Sequence, residues 1–432
     1  MLQVSLTMTS TLSGNNDDFP ERVKALDSKL LRYTQIAILV ASILISAVFI
    51  LKDSGVVPSF PMDQHFVETI NIYPQRLQGK WNFQYPSLQN SGGITSSMIA
   101  GIYKLIVPTT HENLNWHIRI FAMATYLIST FVLIRTFMSN RAAEILAYLV
   151  IACSGFQLLQ PSSDLFAGTL LNLFFVGAVL RWPRPLTALC LAAFGLCKVD
   201  MILAALLLGI FWYWWERRSG EKGSIRGLLY TILWMALFLL PGFIVQGANP
   251  LSGSRSMVAF MSAYTEFFGY HQFTPSGEPA RRAFMEVASV NVFKGATSFF
   301  EIVTKHPRLY LDFVGVSAAR SLPNLVNVFK LMLIPIGIVY FQQKQIRENR
   351  FLLWASIIAA ICVILPAWLV IYLRLRYAVK IAAPLIVIGL SGSLELGRHQ
   401  PRYSQLAWLC GIGTILWGLW YFGDMAQYSH WK

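Results

Sequence analysis

Ten long apolar runs, separated by polar stretches, dominate the chain. They cover residues 33–51, 118–137, 143–159, 165–180, 186–215, 228–246, 324–341, 351–372, 378–394 and 404–422. A helix needs roughly 20 residues to cross the hydrocarbon core of a bilayer. Hydrocarbon leaves backbone N–H and C=O groups to satisfy one another, so such runs are expected to be helical. The strict apolar–polar alternation of a membrane barrel is absent. One run is too long. As a single helix, 186–215 would reach about 45 Å at 1.5 Å per residue, so a hairpin with its turn at "CKVD" is expected. The pattern then predicts an all-α polytopic membrane protein with about 11 transmembrane helices. Residues 33–423 form one integrated domain, flanked by tails at 1–32 and 424–432.

Composition agrees. The 432 residues are 55% hydrophobic and 13% charged, where a soluble domain carries about 25% charge. The mean hydropathy is +0.52. A net charge of +14 would suggest nucleic acid in a soluble chain; here the charge sorts by side instead. With the N-terminus in the cytoplasm, the predicted inner segments carry Arg22, Lys24, Lys29 and Arg32; Arg135 and Arg141; Arg181 and Arg184; Arg217, Arg218, Lys222 and Arg226; Lys344, Arg347 and Arg350; and Arg398 and Arg402. This is the positive-inside pattern, and it holds only if 186–215 turns back. The short arms of that hairpin then bring Lys198 and Asp200 to an outer turn. Charge at the end of a short arm implies a recessed, wet cavity. No N-x-S/T sequon occurs, which favours a bacterial inner membrane. The five cysteines lie in or beside apolar runs without metal-ligand spacing and read as small core residues.

Two long segments fall on the outer side, 52–117 and 247–322. The first holds Asp63 and Glu68 on a short predicted helix over 63–73, whose Phe66, Ile70 and Tyr73 share a face. "GKWNFQYPSL", with Tyr85, follows as an aromatic extended stretch. "TSSMIAGIYKLIVP" predicts a second amphipathic helix, capped by Thr95 or Ser96 and ended by Pro108. Two interfacial helices around an aromatic stretch suit a lipid-linked substrate; they equally suit a loop that rests on lipid. The second segment holds His271 among aromatics and the pair Arg281 and Arg282, groups that attract phosphate or anionic headgroups. "QPSSDLFAG" puts Asp164 at a helix start, where its charge has a sufficient structural reason. Lys198 and Asp200 can pair with each other. Arg374 and Arg376, in "LRLRYAVKIAAP", oppose the charge trend, either to meet an anion or to snorkel into headgroups.

In this order, the early acid, "GKWNFQYPSL", Asp164, "GLCKVD", "KHPRLYL" and "LRYAVKIAAP" resemble the GT-C superfamily of membrane glycosyltransferases. The likeness is to bacterial members related to protein mannosyltransferases and to aminoarabinose or arabinosyl transferases. The resemblance implies transfer of a sugar from a polyprenyl-phosphate donor to a glycan, lipid or protein acceptor on the outer, periplasmic face. It implies a catalytic role for Asp63, a second acid at Asp164, and donor-phosphate contacts from Lys198, Arg374 and Arg376. Glu68, Tyr85, His271, Arg281 and Arg282 are the further substrate-binding candidates. The family's usual second acid is replaced by Gln64, which leaves use of a divalent cation open. Three other readings stay open: an O-antigen ligase or polymerase using a lipid diphosphate, a lipid-linked sugar carrier, and a non-catalytic partner of an export assembly.

Overall fold

The computed structural model describes residues 32–48, 93–107, 111–154, 162–198, 201–220, 225–246, 298–370 and 375–428, with a few single positions between 260 and 296. Every regular element among them is helical. In chain order these are α1 (Arg32–Val48), α2 (Gly93–Ile106), α3 (His111–Phe137), α4 (Arg141–Cys153), α5 (Ser162–Val179), α6 (Arg184–Gly195), α7 (Met201–Arg218), α8 (Ile225–Gln246), α9 (Phe299–Lys305), α10 (Pro307–Phe329), α11 (Leu333–Phe341), α12 (Arg350–Val370), α13 (Leu375–Gly397) and α14 (Pro401–Tyr428). Among the described residues, four stretches are long and apolar enough to cross a membrane: His117–Phe137, Pro307–Phe341, Arg350–Val370 and Tyr377–Gly397. Arg32–Val48, Ser163–Val179, Arg184–Gly195 and Ile225–Leu240 are apolar but shorter.

The long run 186–215 is two helices, α6 and α7, which pack on each other. Arg184 at the start of α6 pairs with Glu216 near the end of α7 at 3.2 Å, so the two free ends lie together. The run expected at 324–341 behaves differently. Its helix begins at Pro307 and breaks at Lys330–Met332, where a 3-10 turn intervenes and Lys330 takes φ 49°. Pro335 explains the break, because its ring excludes the carbonyl four residues back and its nitrogen donates no hydrogen bond. The Lys330 ammonium closes the gap by donating to the Ser154 and Asn327 carbonyls at 3.2 and 2.9 Å. The helix expected from Thr95 or Ser96 starts earlier, at Gly93. Neither side chain is therefore a cap: the amides of Ile94 and Thr95 donate instead to the Leu196 carbonyl, at 3.1 and 3.3 Å. The predicted helix over 63–73 lies outside the described residues.

One end of the bundle is a basic rim. Glu395, at the end of α13, accepts from the backbone amides of Arg347 and Glu348 at 2.5 and 3.1 Å, and Arg398 pairs with Glu348. Asn349 donates to the carbonyl of Phe137 at the end of α3, and Gln35 of α1 to Glu144 of α4. Phe351, next to the rim, packs against Phe175, Phe211 and Trp215, which brings the ends of α5 and α7 to the same level. The described arginines and lysines that the charge pattern assigns to one side thus share one end.

At the centre stands α13. Its apolar window is 94% buried, against 39% for that of α12. It touches α3, α4, α5, α10, α11, α12 and α14. Small residues (Ala378, Ala382, Ala383, Gly389, Gly392) let so many neighbours approach. Polar side chains tie helices inside the bundle: Asn172 of α5 donates to Ser129 and Thr130 of α3, and the Tyr126 hydroxyl donates to the Val379 carbonyl at 3.2 Å. A second, separate core lies at the far end from the rim. There Phe260, Tyr264, Phe293 and Phe313 stack with Phe299 and Tyr310, and Tyr310 and Ser317 of α10 donate to the Leu369 and Trp368 carbonyls of α12.

Close helix contact predicts a sharp contrast between two glycines. A Cβ at Gly418 of α14 would sit 2.0 Å from the Cys153 carbonyl oxygen, whereas one at Gly315 of α10 meets nothing within 4 Å. Gly418→Ala is expected to destabilise the protein by about 1–3 kcal/mol through overpacking against backbone, and Gly315→Ala to leave the melting temperature unchanged or slightly higher. Thermal unfolding in detergent measures both.

Candidate functional site

Three distant segments place charge at one buried point. Asp164 stands in the first turn of α5 and is fully buried. Its Oδ1 receives Lys198 Nζ at 2.5 Å and Lys380 Nζ at 3.1 Å. Lys198 belongs to the turn between α6 and α7 and Lys380 to α13; both are buried, Lys380 completely. The Tyr377 ring, one turn before Lys380, lies 4.9 Å from the Lys380 ammonium and 5.8 Å from that of Lys198. Both are within cation–π range.

The local sequence explains each position. Ser162–Asp164 opens a helix, where a carboxylate meets the positive end of the peptide dipoles. Leu196 and Cys197 are tied back to α6 through their amides, and the Lys198 carbonyl receives the Met201 amide that begins α7. Lys198 thus follows directly on the last turn of α6, and its side chain is buried. Gly168, one turn after Asp164, provides room: a Cβ there would lie 2.7 Å from the Tyr126 ring and 3.5 Å from the Lys380 Cα. Tyr126 in turn holds the Val379 carbonyl. Arg119, two turns before Tyr126 on the same face of α3, is also buried.

Depth gives the cluster its meaning. Lys380 lies fifteen residues before Glu395 on α13, and Asp164 fifteen before Val179 on α5, so each is about 22 Å from the basic rim at 1.5 Å per residue. The hydrocarbon of a bilayer is about 30 Å thick. A membrane whose headgroups meet the rim would hold these charges below its opposite surface. Ionisable groups at such depth are costly, and they mark ion, proton or substrate sites.

The structure brings Asp164 and Lys198 into contact. It pairs Lys198 with Asp164, whereas the sequence offered Asp200 as a partner; Asp200 lies outside the described residues. So do Asp63, Glu68, Tyr85, His271, Arg281, Arg282 and Arg374. Arg376 lies in the first turn of α13, four residues before Lys380, and its side chain is outside the described set. Lys380 and Arg119 were not singled out in the sequence, although both sit inside apolar runs, where an ionisable residue is itself a signal. A divalent cation does not fit at Asp164, because two ammonium groups already converge on its Oδ1. Among the described residues no group of three or more His, Cys, Asp or Glu side chains could hold a metal ion. No family model, curated protein or solved structure matches the chain.

The shared oxygen predicts non-additive stability. Asp164→Asn removes the charge that two buried ammonium groups face and should cost about 3–5 kcal/mol. Lys380→Met should cost at least about 1 kcal/mol less in the Asp164→Asn background than in the parent protein. A double-mutant cycle by denaturant or thermal unfolding reads the difference; strict additivity would show that the two groups do not interact.

Proposed function

We propose that the protein is a GT-C-type membrane glycosyltransferase, moving a sugar from a polyprenyl-phosphate donor to a glycan, lipid or protein acceptor. What carries this reading is the meeting of Lys198, Lys380 and Asp164, buried about 22 Å from the basic rim. Cationic side chains at that depth suit the phosphate of a lipid whose chain lies in the bilayer. In this reading the chain crosses a bacterial inner membrane about 11 times. The N-terminus is cytoplasmic, and the segments 52–117 and 247–322 cover a periplasmic site.

The chemistry is a single inverting displacement. The acceptor hydroxyl oxygen bonds to the anomeric carbon while the bond from that carbon to the phosphate oxygen breaks. The acceptor proton passes to the carboxylate of Asp63, the general base, a contribution typically worth about 10²–10⁴-fold. The bonding electron pair leaves on the phosphate. Lys198, with Arg374 and with Arg376 of the first turn of α13, stabilises that charge in a site shielded from water. Asp164 orients Lys198 toward the donor. The sugar passes through an oxocarbenium-like state. Glu68, Tyr85, His271, Arg281 and Arg282 are the further candidates for binding donor or acceptor.

One observation favours a second reading, a carrier of lipid-linked sugar. The N-terminus of α2 meets the C-terminus of α6 at the depth of the cluster, and helix ends that meet inside a membrane are common at transport sites. Purified protein in vesicles separates the two: a carrier moves labelled lipid-linked sugar without forming a glycosidic bond.

Two outcomes are expected of a transferase. A deletion strain accumulates one polyprenyl-phosphate sugar, identified by mass spectrometry of lipid extracts. Asp63→Asn folds, melts like the parent and loses at least about 10²-fold in transfer rate. Full activity in a folded Asp63→Asn protein removes the assignment.

A further inference from the structure

The charged cluster has a mechanical connection that its chemistry does not require. Lys198 stands two residues after Leu196, and the Leu196 carbonyl accepts from both Ile94 and Thr95, at 3.1 and 3.3 Å. These are first-turn amides of α2, the helix that closes the first long outer segment. Helix starts leave such amides to be satisfied from outside the helix. Here a carbonyl at the end of another helix serves in place of a side-chain cap, and opposite ends of the two peptide dipoles face each other. The joint is dry: Ile94 and Ser96 are fully buried, and Thr95 nearly so. Ser96 also lies against Cys197, beside the charges of Lys198, Lys380 and Asp164.

The Leu196 carbonyl lies at the cap of α6, held on one side by the Leu196 amide on the Ala192 carbonyl and on the other by Lys198, two residues on, paired with Asp164. Asp164 is held in turn by Lys380 of α13. We infer that Lys380 is a positioning residue for the first outer segment: through Asp164 and Lys198 it fixes the Leu196 carbonyl, and with it the start of α2. The rest of α2 has its own anchorage, since Tyr103 packs on Phe121 and approaches His117 of α3. Loss of the latch should therefore free the first turn of α2 while its second half stays docked. In the transferase reading on which its functional meaning rests, the latch anchors the start of the helix that follows Asp63 in the first outer segment. Lys380 then affects turnover without touching substrate.

Amide hydrogen exchange on the full chain in nanodiscs, with no sugar donor present, reads the latch directly. In Lys380→Met the amides of Ile94 and Thr95 should exchange about tenfold faster or more, as local opening of a released helix end implies. Those of residues 351–363 in α12 should not change. Lys198→Met should reproduce the effect, and it decides the matter if Lys380→Met does not fold. Lys380→Arg, which keeps a cation facing Asp164, should restore most of the protection. Parent-like exchange at Ile94 and Thr95 in a folded Lys380→Met or Lys198→Met protein would overturn the inference. The two proposals also separate cleanly. Faster exchange in the variants with no transfer activity in the parent protein keeps the latch and removes the transferase, and an active parent with unchanged exchange in the variants does the reverse.

Discussion

Two ammonium groups on one carboxylate oxygen, closed off from solvent, are the constraint around which this bundle is arranged. Burying a charge is expensive, and the cost is offset only by close opposite charge and hydrogen bonds. Asp164 and its two lysines therefore require their three segments to meet. The α6–α7 turn must stop short, α5 must begin beside it, and α13 must come close enough for Lys380 to reach. Gly168 permits that approach, and Tyr126 secures it by binding the Val379 carbonyl. At the other end the carboxylate of Glu395 takes two backbone amides of the 342–349 loop. So α13 is fixed at both ends by charge and along its length by apolar packing.

Much of this was legible in the sequence, for reasons that can be named. The hairpin in 186–215 follows from bilayer thickness and from charge at its tip. The basic rim follows from the arginine count between runs. Asp164 and Lys198 stand out as charged residues at helix boundaries. The rest depends on tertiary contacts that periodicity does not encode. Lys380 hides because the run 378–394 reads as one more span, and only the fold shows that α13 is enclosed on all sides. The start of α2 was misplaced because Thr95 and Ser96 look like caps, while the cap in use is a carbonyl about a hundred residues away in the chain. The break at Lys330 follows from Pro335, whose effect appears one turn earlier than the proline itself. Asp63, Arg281, Arg282, Arg374 and the side chain of Arg376, on which most of the proposed chemistry falls, lie outside the described residues.

A buried cationic centre and a nearby helix joint make a coherent functional picture. In the proposed reading the centre supplies positive charge to a lipid phosphate; the joint ties the start of α2 to that same centre. Lys198 would then serve both substrate contact and helix placement, with Lys380 acting only through Asp164.

The most direct test of the central claim is a cryo-electron microscopy map of the protein in a lipid nanodisc, at side-chain resolution. The account predicts Lys198 and Lys380 both within about 3.5 Å of the Asp164 carboxylate, below the level of the surrounding headgroups and opposite the basic rim. A map in which either lysine turns away from Asp164, or in which the cluster stands in bulk water beyond the headgroups, would contradict it.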